Sequence, residues 1–300
     1  MPTRTSTRIR ASKQDRTFYL LNGALLFLLT LLVLYPIIYV LSSSFSAPGA
    51  VRSGKVILWP VDFSLEGYST VFSNRHIISG FFNSVFYTVA GTAINIAMTT
   101  GAAYALARKR LPLGKPLTFL FVFTMIFSGG MIPGYILMVS LNLLNTRLAL
   151  LLPGAISVYN MIIARTFIQG IPDELMEAAS IDGCSDFRYF FAIVLPLSTS
   201  MLAVLCLYYA VGHWNSYFSA FLYLSDRSKY PLQIVLREIL IMGQIAEADI
   251  VDPETAARIS GLADLLRYAV IVVASLPMLI IFPFVQKYFV KGVMIGSVKG

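Results

Sequence analysis

The sequence predicts an all-α, polytopic integral membrane protein with six transmembrane helices and one helical loop on the cytoplasmic side. Three observations predict it. The 300 residues are 57% hydrophobic and only 13% charged, with a mean hydropathy of +0.75, outside the range of soluble globular domains. The apolar residues gather into long runs free of Asp, Glu, Lys and Arg. The basic residues form short clusters at the ends of those runs, whereas a nucleic-acid binder spreads them along one polar face. The organisation that follows is a basic tail over 1–16, a six-span domain over 17–290 and a short tail over 291–300.

Taken in order, Arg4, Arg8, Arg10, Lys13 and Arg16 precede an uncharged run from Phe18 to Leu41. That run exceeds the ~7–15 residues of a signal-peptide core and suits a retained first span. A polar connection with Pro48, Gly49, Gly54 and Pro60 follows, then a second span from Asn83 to Ala107, closed by Arg108-Lys109-Arg110. The third span, Leu117 to Val139, is interrupted by Ser128-Gly129-Gly130 and Pro133; the fourth covers Leu148 to Ala164 and stops at Arg165. A charged loop occupies 171–196, and the fifth span runs from Leu197 to Tyr217. The longest hydrophilic stretch, 226–264, is acidic after Glu238; the sixth span covers Tyr268 to Val285.

Six spans put both termini on one side, and charge decides which. The face with the termini and the 171–196 loop gathers Arg4 to Arg16, Arg108-Lys109-Arg110, Lys115, Arg165, Arg188, Lys287, Lys291 and Lys299. Against them stand Asp15, Asp173, Glu174, Glu177, Asp182 and Asp186, so the whole formal net charge of +8 lies on that face and the other is balanced. The basic face is the cytoplasmic one, which puts 171–196 in the cytoplasm and 226–264 outside it.

The spans hold no Asp, Glu, Lys or Arg, and His213 within them reads as a hydrogen-bonded helix residue and not as a base or metal ligand. Ion-coupled transporters keep intramembrane carboxylates or bases at a cost of about 2.5–3.5 kcal/mol each. No Gly-x-x-x-x-Gly-Lys-Ser/Thr loop is present either, so ATP hydrolysis by that route falls to another subunit. We expect no catalytic residue, no metal site and no cofactor here, with ATP and Mg bound by a partner. Cys184 and Cys206 give no disulfide framework. In the second span Ser84, Thr88, Thr92, Asn95 and Thr99 share one helical face. Such a stripe either lines a path for a hydroxyl-rich solute or lets helices approach and hydrogen-bond. Aromatics beside an amide, around Tyr209, Trp214, Asn215 and Tyr217, suit either an interfacial belt or a sugar ring. From that chemistry Tyr87, Asn95, Tyr209, Asn215 and Tyr217 are the candidate substrate-path residues.

The 171–196 loop is the charged, helix-patterned segment between two apolar runs. Pro172 opens a helix with Asp173 and Glu174 at the positive end of its dipole, and Gly183 ends it so that a second helix begins near Phe187. Glu177-Ala178-Ala179, Asp182-Gly183 and Ile193-x-Leu195-Pro196 together resemble the EAA loop of ATP-binding-cassette (ABC) importer permeases. Cys184 and Ser200 stand where that family often has alanine and proline, and neither change removes a charge or the bend.

Further pieces resemble the carbohydrate-uptake branch, relatives of the smaller membrane subunit of the maltose importer. They are Asn83-Ser84-x-x-Tyr87-Thr88, Ala103-Tyr104-Ala105-Leu106-x-Arg108, Ser128-Gly129-Gly130-Met131-Ile132-Pro133, Trp214-Asn215-x-x-Phe218, Tyr230-Pro231-Leu232-Gln233 and the ending from Lys287. The Ser-Gly-Gly run and the ending Gly292-x-Met294-x-Gly296-Ser297-Val298-Lys299-Gly300 resemble permeases for polysaccharide fragments, including uronate-containing ones such as alginate. The resemblance implies a type I importer permease fold in a bacterial cytoplasmic (inner) membrane. It implies as partners a second, related permease in a heterodimer, a homodimeric cytoplasmic ATPase and an extracytoplasmic solute-binding protein, with membrane lipid around the spans and a carbohydrate as cargo. It also implies ATPase coupling through Glu174, Glu177, Ala178, Ala179, Asp182, Gly183 and Pro196, and a C-terminal ATPase contact through Gly296, Ser297, Val298 and Lys299. An ion-coupled secondary transporter, disfavoured by the uncharged spans, and a membrane enzyme or scaffold built on the loop acids are the alternatives.

Overall fold

A computed structural model describes residues 12–109, 111–249, 263, 266–284 and 286. Its regular structure there is helical, with one isolated bridge between Ser46 and Phe63. Contacts divide the chain into two units, residues 1–70 with 246–272 and residues 71–245 with 273–300.

In the first unit the helix Lys13–Ser44 opens on a capping box, Ser12 Oγ accepting from the Asp15 amide and the Asp15 carboxylate from the Ser12 amide. At about 1.5 Å per residue its 32 residues exceed a ~30 Å hydrocarbon layer. Its apolar side chains from Phe18 to Ile37 are exposed, a surface that only lipid or another apolar protein face can cover. Burial starts at Ser42, Ser43 and Ser44. There Ser42 Oγ donates to the Leu58 carbonyl, Ser44 Oγ meets the Tyr68 hydroxyl at 2.8 Å, and Phe45 stacks on Phe63. The connection after the first span is therefore held by its serines and rings, and it contains two short helices, Pro48–Arg52 and Glu66–Ser73.

The second unit is built on the helix Arg75–Ala107. It begins before the predicted Asn83, because Asn74 caps it by accepting from the amides of His76 and Ile77. Its buried face runs through Ser84, Thr88, Gly91, Thr92, Asn95 and Thr99, small residues that let the helices Val158–Gln169 and Thr199–Trp214 pack against it.

Two of the remaining spans are bent. Helices Gly114–Ile126 and Met131–Ser140 meet at 111°, at the predicted Ser128-Gly129-Gly130 break, where Gly130 has φ +86°. Pro133 sits in the first turn of the second piece, where its missing N–H costs nothing. The loop-side segment Asp186–Leu197 meets Thr199–Trp214 at 82°. A π-turn at Phe190–Val194 precedes Pro196, which cannot donate to the ladder, and Ser198 N–H reaches back to the Val194 and Leu195 carbonyls.

The fourth span differs from its prediction. Instead of one helix over 148–164 there is a turn at Leu148–Leu151, a break at Pro153-Gly154 with Gly154 at φ +75°, and a helix Val158–Gln169. Among the described residues three helices are long and apolar enough to cross a membrane, five if each bent pair is one span. Length and composition therefore give a lower count than the six spans expected. The sixth-span prediction coincides with an apolar helix, Leu266–Phe284. Trp214 Nε1 donates to the Ala274 carbonyl at 2.9 Å. The hydrophilic stretch after Asp226, to which the sequence reading assigned no element, holds the helix Leu232–Asp249.

Candidate coupling site

The charged loop folds as two helices around a glycine turn. Asp173–Ile181 carries Asp173 and Glu174 in its first turn. It ends on Gly183 at φ +70°, with Gly183 N–H donating to the Ser180 carbonyl and Cys184 N–H to that of Ala179. Those two bonds make a Schellman termination, in which an L side chain is strained at the left-handed position and glycine is not. Ser185 then caps the next helix, its hydroxyl accepting from the Arg188 amide. Ala179 is buried in a cluster with Leu106, Ile168 and Tyr189, which seats the first loop helix on the ends of the spans.

Between the loop and the end of the second span lies a cleft of 890 Å³, lined among others by Tyr104, Arg108, Pro172, Met176, Glu177 and Tyr189. Arg108 lines it from the end of the second span. The guanidinium donates to the Asp186 carboxylate and to Met176 Sδ, and stands 4.6 Å from the centre of the Tyr104 ring and 5.7 Å from that of Tyr189. Lys109 pairs with Asp173, whose carboxylate holds the ammonium above the usual lysine range. The two pairs are not equivalent. Lys109 and Asp173 are 79% and 61% exposed, so solvent screens their pair and it adds little to the fold. The Arg108 side chain is only 25% exposed and stacked on aromatic faces, which desolvates and orients it. Arg165, where the fourth-span prediction stops, donates from Nε to the Leu106 carbonyl at 3.0 Å and ties a further helix to the same end.

The predicted coupling residues come together on this loop. Glu174, Glu177 and Asp182 are exposed, and none of their carboxylates has an ion-pair partner among the described residues. Ala178 and Pro196 are exposed and Gly183 makes the bend. Gly296, Ser297, Val298 and Lys299 lie outside the described residues.

The candidate path residues separate into two groups. Tyr87, Asn95 and Tyr209 are buried, and each uses its polar atoms between helices. Tyr87 donates to the Lys229 carbonyl; Asn95 donates to the carbonyls of Gly154 and Ala155, both at 2.9 Å, while its Oδ1 meets His213 Nε2 at 2.6 Å. The Tyr209 hydroxyl meets Thr99 Oγ1 at 2.6 Å and accepts from the Ser157 amide. The polar stripe of the second span is thus mostly interhelical: Ser84 accepts from the Leu232 amide, and Asn95 repairs the backbone that the Pro153-Gly154 break opens. Asn215 and Tyr217 are exposed, the Asn215 amide returning a bond to the Val211 carbonyl of its own helix.

Asn95→Leu is accordingly expected to strip the Gly154 and Ala155 carbonyls of the donor that buried Asn95 supplies and to destabilise the fold by about 1–3 kcal/mol. The thermal midpoint of the detergent-solubilised protein measures it, and an unchanged midpoint refutes the tie.

Sequence reasoning missed Arg108 as the hub of the loop, reading it as a topology charge. The signal was the Tyr104-x-x-x-Arg108 spacing, which stacks ring and guanidinium on one helix face.

Residues 77–295 match the family model described as binding-protein-dependent transport system inner membrane component. The chain is 44% identical over 287 residues to the polygalacturonan/rhamnogalacturonan transport system permease protein YtcP of Bacillus subtilis, covering 96% of this chain and 100% of that one. It is 40% identical to protein LplC of the same organism, covering 96% and 97%. A solved bacterial ABC transporter involved in the import of the acidic polysaccharide alginate contains a chain that superposes with a TM-score of 0.86 at 33% identity, covering 94% of this chain and 99% of that one.

Proposed function

Because this chain belongs to the family of binding-protein-dependent transport system inner membrane components, we propose that it is the non-catalytic permease subunit of an ABC importer for oligosaccharides. It forms half of the translocation path, with a second, related permease as the other half. Two copies of a cytoplasmic ATPase bind ATP and Mg, and an extracytoplasmic binding protein delivers the sugar. The cargo we propose is a polysaccharide fragment bearing uronate carboxylates, supported by relatives named for polygalacturonan/rhamnogalacturonan transport and for alginate import.

The observation that carries this reading is the loop of 171–196. It presents Glu174, Glu177 and Asp182 as exposed carboxylates without an ion-pair partner among the described residues, on a bent helix pair packed against the span ends. In our reading that pair faces the cytoplasm, where closure of the ATPase dimer moves it and shifts the permease between inward-open and outward-open populations. This chain makes and breaks no covalent bond. Asn215 and Tyr217, exposed and beside the interface-type aromatics, are the residues we propose to face the sugar, while Tyr87, Asn95 and Tyr209 hold the helices around the path.

Reconstitution tests it. The purified complex in liposomes is expected to raise its ATP hydrolysis when given the binding protein loaded with oligogalacturonides, and not when given the empty binding protein. Uptake by the purified chain alone, without ATP, refutes the importer reading; stimulation by neutral oligosaccharides alone refutes the acidic cargo.

A further inference from the structure

The second span is fastened at both of its ends to segments remote in sequence. At the loop end Arg108 holds both helices of the bent pair at once, Met176 on one side of Gly183 and Asp186 and Tyr189 on the other. At the opposite end the Asn83 amide donates to the carbonyls of Ser228 at 2.7 Å and Tyr230 at 3.1 Å, the Tyr87 hydroxyl donates to that of Lys229 at 2.9 Å, and Ser84 Oγ accepts from the Leu232 amide at 2.9 Å. Asn145 reinforces the same segment, its side-chain oxygen accepting from the amides of Ser225 and Asp226.

Between those fastenings the helix contains no proline and is continuous from Arg75 to Ala107. From Asn83 to Arg108 it spans about 38 Å at ~1.5 Å per residue. All of it belongs to the second unit.

We propose that the second span is a rigid strut between the coupling loop and the 225–232 segment, and that Arg108 is the positioning residue that locks the bent helix pair to it. The proposal rests on the importer reading above. A displacement of the loop then reaches the far end without an intervening joint, because one guanidinium spans the glycine bend and a planar fork fixes the direction of its contacts. Lys109, far more exposed, adds a screened contact that the strut does not need.

The test uses the complete transport complex in liposomes, with binding-protein-stimulated ATP hydrolysis as one readout and ATP-induced change in amide hydrogen exchange over 228–232 as the other. R108D is expected to lower the stimulation about tenfold, within the range of ordinary coupling energies, and to erase the exchange response at 228–232. The double variant R108D/D186R is expected to restore both, which a change of packing alone does not do. If R108D prevents assembly, the double variant carries the test: assembly with restored stimulation supports the strut, and assembly without it overturns the strut. R108D that keeps both readouts also overturns it. Glu177→Lys separates the two levels of the argument. Loss of transport in Glu177→Lys beside normal R108D sinks the strut alone; normal transport in Glu177→Lys sinks the docking reading on which the strut rests.

Discussion

Glu177→Lys is expected to abolish binding-protein-stimulated ATP hydrolysis and transport while leaving the chain inserted in the membrane and the complex extractable. Glu177 is exposed, has no ion-pair partner among the described residues, and lines the cleft that Arg108 and Lys109 also line. Reversing its charge removes the carboxylate offered to a basic partner and adds a third cation beside two. No span residue is touched, so insertion is preserved. Gly183 gives the companion result. A Cβ there meets nothing within 4 Å, so the cost of a side chain is backbone strain alone, about 1–2 kcal/mol for an ordinary L residue at φ +70°. Asn tolerates that region and Gly183→Asn is expected to transport. Gly183→Pro cannot reach positive φ and loses the N–H that bonds Ser180, so the bend is lost and transport with it. Stimulated ATP hydrolysis and sugar uptake in liposomes measure both. Full transport by Glu177→Lys ends the docking assignment, and full transport by Gly183→Pro ends the claim that the bend matters.

What the sequence made legible is what local chemistry encodes. The bend at Gly183 follows from a glycine after an acid-started helix, and the break at Ser128-Gly129-Gly130 from two glycines in an apolar run; both stand in the structure. The fourth span was misread for a reason of the same kind turned round. Leu148 to Ala164 is apolar enough for one helix, and hydropathy cannot weigh a break at Pro153-Gly154 after which the Gly154 and Ala155 carbonyls accept from Asn95 of another helix. The polar stripe left two readings open because periodicity places Ser84, Asn95 and Thr99 on a face without saying what that face meets. Its partners, Leu232, Gly154 and Tyr209, are far along the chain. Arg108 is the clearest case of this limit. Its ties to Met176 and Asp186 lie 68 and 78 residues away. Those ties are set by tertiary packing, so the basic cluster at the span end gave its topological meaning and no more.

Gly91→Ala is expected to destabilise the protein although alanine is the better helix former. A Cβ built on Gly91 would lie 2.4 Å from His213 Nε2, 2.5 Å from Cε1 and 2.8 Å from Cδ2. Those separations are inside van der Waals contact, and the obstacle is a flat ring whose Nε2 is held by Asn95 Oδ1 at 2.6 Å. The ring cannot swing aside without giving up that bond, and the same Asn95 closes the break in the fourth span. The second span must therefore separate from Thr199–Trp214. Replacing glycine in a helix interior gains about 1 kcal/mol in propensity, whereas overpacking costs about 1–3 kcal/mol and loss of an interhelical hydrogen bond in a membrane about 0.6 kcal/mol more. The balance is a net loss, larger for Gly91→Leu than for Gly91→Ala. Gly91→Ala with His213→Ala removes the ring and is expected to recover most of the loss, so the two changes couple strongly. Thermal midpoints of the four proteins in detergent decide it: a Gly91→Ala protein as stable as the parent, or a double variant no better than Gly91→Ala alone, means that the two helices do not meet at this point.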